Sequence, residues 1–202
     1  MKKAAFWLFL VPVAVSCSKD PITPKLPVPT GTGETAPAPE PGTLYTIPQG
    51  QHYATANPFR TVAKNQLRFR VKFDNSAMYQ SLDPQNQADI NKLYGVSDCG
   101  GLHQTNSARF GWRWHQNRLE LLAYSYRNGV ITSTLISAIS LNQWYTCELQ
   151  LTDTAYVFVV NGQRVEQPRG CSGAGQGYQL YPYFGGDEVA PHAVTIRIED
   201  LN

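Results

Sequence analysis

The chain has 202 residues, of which 42% are hydrophobic and only 16% charged, with a formal net charge of +2. That length supports one domain with a sizeable core, and the near-neutral balance excludes a long-range field that would draw the protein to nucleic acid or to an anionic membrane. Without Lys2 and Lys3, 15 basic residues face 15 acidic ones, and from residue 44 onward arginine outnumbers lysine ten to three, which favours planar recognition over diffuse attraction.

Met1 to Ser16 reads as a signal peptide, with Lys2-Lys3 followed by an apolar run from Ala4 to Val15 that is too short for a permanent membrane helix. The run ends in Ala14-Val15-Ser16-Cys17, which resembles the lipobox of bacterial lipoproteins, with Ala14 where leucine is more usual. The resemblance implies a lipid on the Cys17 sulfur. Ser18-Lys19-Asp20 is similar to the start of Bacteroidetes-type lipoproteins, some of which reach the cell surface. The expectation is a cell outer membrane protein held by lipid alone, facing the periplasm or the exterior. A secreted protein with a chance cysteine is the alternative. Residues 18–43 hold seven of the 14 prolines and no hydrophobic periodicity, so they read as an extended tether. At ~3.1 Å per residue it reaches about 80 Å. Residues 17–43 are thus assigned to lipid attachment and tether, and residues 44–202 to the folded domain.

From Leu44 the pattern has period two. Gln66–Phe73 places Leu67, Phe69, Val71 and Phe73 on one face, against Arg68, Arg70 and Lys72. Residues 75–91 read as a long polar loop with room for one helical turn, and Ile90–Val96 as the next strand. Ser107–Gly129 forms two β-rich runs around the polar break His115-Gln116-Asn117, which predicts a hairpin. Ala108, Phe110, Trp112 and Trp114 share one face of it; Arg109, Arg113 and His115 share the other. Further strands are expected at Val130–Ile139, Trp144–Leu151, Tyr156–Val160, Arg164–Glu166, Tyr178–Phe184 and Val194–Ile198. About ten short strands without an amphipathic helix predict an all-β, antiparallel β-sandwich.

The run Trp144-Tyr145-Thr146-Cys147-Glu148-Leu149, followed by Ala155 to Val165 with Asn161-Gly162, resembles the late strands of concanavalin A-like (laminin G-like) jelly rolls. The resemblance implies a jelly-roll fold and leaves function open, since that superfamily holds lectins, glycoside hydrolases, lyases and adhesion modules.

Three functions are carried forward. A carbohydrate-binding, lectin-like domain would use Arg109, Arg113, Glu120, Tyr124 and Tyr126 on an accessible face, with Trp112 and Trp114 as core or as a sugar-stacking platform. A polysaccharide lyase would need a carboxylate neutraliser and a base; Arg109, Arg113, His103, His115, Tyr124 and Tyr126 supply those types. Tyr181-Pro182-Tyr183-Phe184-Gly185 resembles the Y-F-K-A-G strand of jelly-roll alginate lyases but lacks its lysine, and the lyases' Q-I-H and R-x-E-x-R patterns do not occur. A glycoside hydrolase is disfavoured, because Glu120 stands alone in its strand and Asp187-Glu188 would point to opposite faces. The third function is a non-catalytic protein-contact module. No cofactor is expected; for calcium, Asp98, Asp187 and Glu188 are the candidate ligands, with turn and edge charges as the plainer reading. Cys147 reads as a buried thiol, and Cys99 and Cys171 either form a disulfide between glycine-rich loops or stay free.

Overall fold

The computed structural model describes residues 39–201. The signal peptide, the lipid on Cys17 and most of the tether are expectations that fall on residues 1–38, outside the described residues. The strands are β1 Thr43–Ile47, β2 Thr61–Ala63, β3 Gln66–Phe73, β4 Asn91–Ser97, β5 Ser107–His115, β6 Arg118–Arg127, β7 Val130–Ile139, β8 Trp144–Leu151, β9 Ala155–Val160, β10 Gln163–Pro168, β11 Gln176–Leu180 and β12 Val194–Asp200. They form two six-stranded antiparallel sheets, in the orders β1-β12-β3-β8-β9-β10 and β2-β11-β4-β5-β6-β7. The fold is an antiparallel β-sandwich of jelly-roll type.

Period two decides which side of each strand is dry. Leu67, Phe69, Val71 and Phe73 on β3 are fully buried, as are Val194 and Ile196 on β12. They meet the inner face of the second sheet: Phe69 packs edge-on against Phe110 at 5.5 Å between ring centroids, and Phe73 lies 5.3 Å from Trp112. Phe158 on β9 closes on Phe110 from the other side at 5.3 Å. Cys147 is fully buried and unpaired, and burial raises its thiol pKa far above the usual value.

Several expectations change at the margins. β1 and the three-residue β2 are edge strands; β1 buries Tyr45 and Ile47, while β2 has no buried residue. The compact unit begins at Glu40, which binds Lys72 and Arg197, so the boundary drawn at residue 44 falls inside it. The long loop forms two 3-10 turns, Asn75–Ala77 and Pro84–Ala88, capped by Asp74 and Asp83. The strand expected over Tyr178–Phe184 ends at Leu180, and Tyr183 only bridges to Tyr53 and Lys92. Cys99 and Cys171 form a disulfide, with Cα atoms 5.8 Å apart. It spans 72 residues of sequence, a loop whose closure stabilises the fold by about 4 kcal/mol.

Candidate functional site

The β5–β6 hairpin turns on two residues, Gln116 (φ 52°) and Asn117 (φ 58°). Left-handed φ at both positions gives the twist that antiparallel partners need. His115 is therefore a strand residue, paired with Arg118. This turn sets the register: Arg113 faces Glu120, and Arg109 faces Tyr124. Two arginines that share a face thus receive different neighbours.

Arg113 is consumed by the fold. Its Nε donates to Glu120 Oε2 at 2.7 Å and its Nη1 to the Ala88 carbonyl at 2.7 Å. Arg118 Nε takes the other Glu120 oxygen at 2.7 Å, and His115 Nδ1 stands 4.0 Å from the carboxylate. Burial pushes the Glu120 carboxyl up, but the hydrogen bonds from Arg113 and Arg118 outweigh it and hold the pKa below the usual value. Glu120 is fully buried. Arg113 and Glu120, expected as ligand residues, are thus tied to each other and to Arg118, while the Nδ1 of His115 beside them is buried without a hydrogen-bond partner among the described residues.

Arg109 differs. It is only 7% exposed, and its Nε is buried without an acceptor. No carboxylate or carbonyl among the described residues takes a hydrogen bond from its guanidinium. Its Cζ lies 5.6 Å from the Tyr124 ring centroid, and Lys92 Nζ approaches the same ring at 5.2 Å. Lys92 Nζ also lies 5.8 Å from the Tyr183 ring and donates to the Gly185 carbonyl at 2.8 Å. A cation–π contact is worth about 0.5–2 kcal/mol, whereas an uncompensated buried ion costs several. The tyrosines alone do not balance Arg109.

Several further features shape this floor. Gly95 lies opposite Arg109, and a Cβ there would fall 2.3 Å from the Arg109 Cβ and 2.2 Å from the Ala108 carbonyl oxygen. Tyr183 is pinned beside Lys92 by reciprocal backbone hydrogen bonds of 2.8 and 2.9 Å. Tyr124 and Tyr126 pack edge to face at 5.9 Å. At the rim, Phe59 is 79% exposed beside Tyr178, and Tyr53 is 64% exposed, edge-on to Tyr183. Burial pushes the Lys92 pKa down to about 8, with Arg109 adding to the effect and Asp89 and Asp187 opposing it. Burial and then Arg109 lower the pKa of His103, whose Nδ1 lies 2.8 Å from Tyr178 Oη.

Other candidates are placed elsewhere. Trp112 is fully buried among Phe73, Tyr79 and Phe184 and is no platform. Trp114 is half-buried at the edge of the core and lines a separate cavity. Of the face expected to be open, Arg109 and Tyr124 are buried, while Arg113 and Tyr126 are partly exposed. Asp98, a calcium candidate, is fully buried and bound by Arg169 Nε at 2.7 Å and Tyr156 Oη at 2.9 Å. The Cys99 and Cys171 sulfurs near it are spent on the disulfide. Glu188 accepts hydrogen bonds from the Leu82 and Asp83 amides and from Asn86 Nδ2, which commits both of its oxygens to the adjoining loop. Asp187 lies near enough to Lys92 to act on it electrostatically.

Sequence reasoning missed Lys92, Tyr178, Tyr183, Tyr53 and Phe59. A signal existed for the first: Gly95 inside a strand marks close backbone approach, and Lys92 sits three residues before it. Tyr178 comes from β11 and the other aromatic residues from outside the strands, and nothing local foretells their meeting.

Comparison with protein-family models finds no match, and comparison with curated proteins finds none either. Among solved structures the chain is similar to a family 7 alginate lyase in complex with its product, at 9% identity and a TM-score of 0.49, over 78% of this chain and 76% of that one. It is similar to the carbohydrate binding module CBM66 of Bacillus subtilis, at 9% identity and a TM-score of 0.37, over 80% and 81%. It is also similar to domains LG4-5 of the mouse laminin alpha1 chain, at 11% identity and a TM-score of 0.39, over 80% and 43%. These are concanavalin A-like or laminin G-like jelly rolls, and the likeness is one of fold.

Proposed function

We propose that the domain binds a carboxylate-bearing glycan on the outer face of the second sheet, around Arg109. The observation that carries this reading is an arginine 7% exposed whose guanidinium finds no acceptor among the described residues. A planar fork of donors in a low-dielectric setting suits a carboxylate, which it can hold through two parallel hydrogen bonds. Lys92 adds a second cation on the same tyrosine ring, and the exposed Phe59 and Tyr53 offer faces for sugar rings. The same proposal includes the address: a signal peptide to Ser16, lipid on Cys17 and display from the outer membrane. The proline-rich residues 18–43 and the lipobox-like Ala14–Cys17 support it.

The test is calorimetric titration with uronate oligosaccharides and their neutral counterparts. Wild-type protein should prefer the acidic chain, and Arg109→Met should weaken that binding by about 10- to 100-fold, the worth of a hydrogen bond to a charged group. Equal binding by the variant, or no preference for carboxylates, would sink the proposal.

A lyase is the second reading, favoured by the His103–Tyr178 hydrogen bond beside Arg109. There Arg109 would neutralise the uronate carboxylate, a base would take the C5 proton, and the C4–O bond would break as its oxygen gains a proton. Ultraviolet absorbance from an unsaturated product would favour this reading; intact oligosaccharide after long incubation would leave binding alone.

A further inference from the structure

The hairpin tip carries a second feature that the Arg109 site does not use. A cavity of about 440 Å³ opens between the Gln116–Asn117 turn and the loop of residues 79–87, with Trp114 as one wall. Its size lies within the range of small-ligand sites, about 300–1,000 Å³. None of its lining residues is charged. Among the described residues, the side-chain amides of Gln80, Gln116 and Asn117 make no hydrogen bond to protein. An amide group offers donors and acceptors together, as a sugar hydroxyl does.

We propose that this cavity binds an uncharged sugar residue, stacked on Trp114 and held by these amides. The wall is built in advance. Gln87 Nε2 donates to the Trp114 carbonyl at 2.7 Å and to the Tyr79 carbonyl at 3.2 Å, while its Oε1 accepts from the Ser81 amide at 2.8 Å. The Glu188 carboxylate fastens the next turn through the Leu82 and Asp83 amides at 2.8 and 2.7 Å. A loop already ordered loses little entropy when a ligand arrives. Trp114 packs against the core and also lines the cavity, so its ring is held in place before binding. Exposed amides at a hairpin tip are common, and a core-edge tryptophan is common. Their convergence on one uncharged cavity with a fastened wall points to a ligand. Trp114 lies five steps along β5 from Arg109, a rise of about 17 Å, and the two side chains lie on opposite faces. The proposal does not rest on the reading of Arg109.

The experiment is a tryptophan-fluorescence titration of the whole domain with neutral gluco-, manno- and galacto-oligosaccharides, at low salt and in 1 M NaCl. At least one series should change the emission saturably, with affinity unaltered by salt because no charge takes part. Trp114→Ala should abolish the response, Gln80→Ala should weaken affinity about threefold or more, and Arg109→Met should leave it unchanged. Gln80→Ala decides the matter should Trp114→Ala fail to fold, because residue 80 is exposed and outside any strand. Silence with every neutral series, undiminished affinity in Gln80→Ala, or a response that needs Arg109 or an acidic sugar would each overturn the proposal.

Discussion

Arg169 and Arg109 are both buried guanidiniums, and the fold treats them in opposite ways. Arg169 reaches Asp98 through Nε at 2.7 Å and Nη2 at 3.1 Å, and gives Nη1 to the Thr152 and Gly173 carbonyls at 2.7 and 2.8 Å. Burial pushes the Asp98 carboxyl up, yet hydrogen bonds from Arg169, the Cys99 amide and Tyr156 more than reverse the effect and lower its pKa. Arg109 has the Tyr124 ring against it and, among the described residues, no acceptor. The first arrangement is a structural rivet beside the Cys99–Cys171 bridge. The second leaves its hydrogen-bonding capacity to something other than the protein. Burial of a charge therefore says little until its partners are counted.

The sharpest way to break the comparison is to remove Asp98. Asp98→Ala should destabilise the domain by about 3–5 kcal/mol, because it strands Arg169 as an unpaired buried charge, as read by urea unfolding. Cys171→Ser should cost up to about 4 kcal/mol through the lost loop constraint, with the midpoint matching that of reduced wild type. Arg109→Met should do the reverse of Asp98→Ala: stability should hold or rise by about 1 kcal/mol or more, since an apolar chain replaces an unpaired ion. A large loss of stability in that variant would show that Arg109 is structural after all. Next comes pH. Lys92 keeps its charge below about pH 8 and sheds it above, so affinity for a carboxylate should fall as pH rises through that value. Lys92→Met should flatten the fall, and a profile unchanged by it would dismiss Lys92 from the site. The smallest expected effect is none: the proposed site supplies its own cations, so EDTA should leave uronate affinity where it was, and a loss on chelation would restore calcium to consideration.

The sandwich was legible because alternation is a local signal. Leu67, Phe69, Val71 and Phe73 announced their burial in eight residues, and Val194–Ile198 did the same. The short β2 has no such stretch to read, and β1 was cut by a boundary placed at the end of the prolines. The site was half legible. Arg109 and Arg113 stood together in the sequence, and a three-residue break at 115–117 left their partners undefined. Reading the turn as Gln116-Asn117 alone puts Glu120 opposite Arg113 and Tyr124 opposite Arg109, which separates the two. Lys92, Tyr183 and Phe59 lie far away in the chain, and their arrival depends on packing between strands and loops that no window of residues contains.

Gly95 has a further consequence. Its hydrogen lies where any larger residue would drive β4 away from β5, because the obstructing atoms are the Ala108 carbonyl and the Arg109 main chain and Cβ. The depth at which that guanidinium rides is thus set by a single absent methyl. Alanine at position 95 would pry the ladder open and let solvent wet the floor, so that an attraction worth several kcal/mol between dry charges would shrink toward the ~1 kcal/mol it has in bulk water. Tuning of affinity in such a domain can therefore come from the strand beneath the ligand as readily as from any group that touches it.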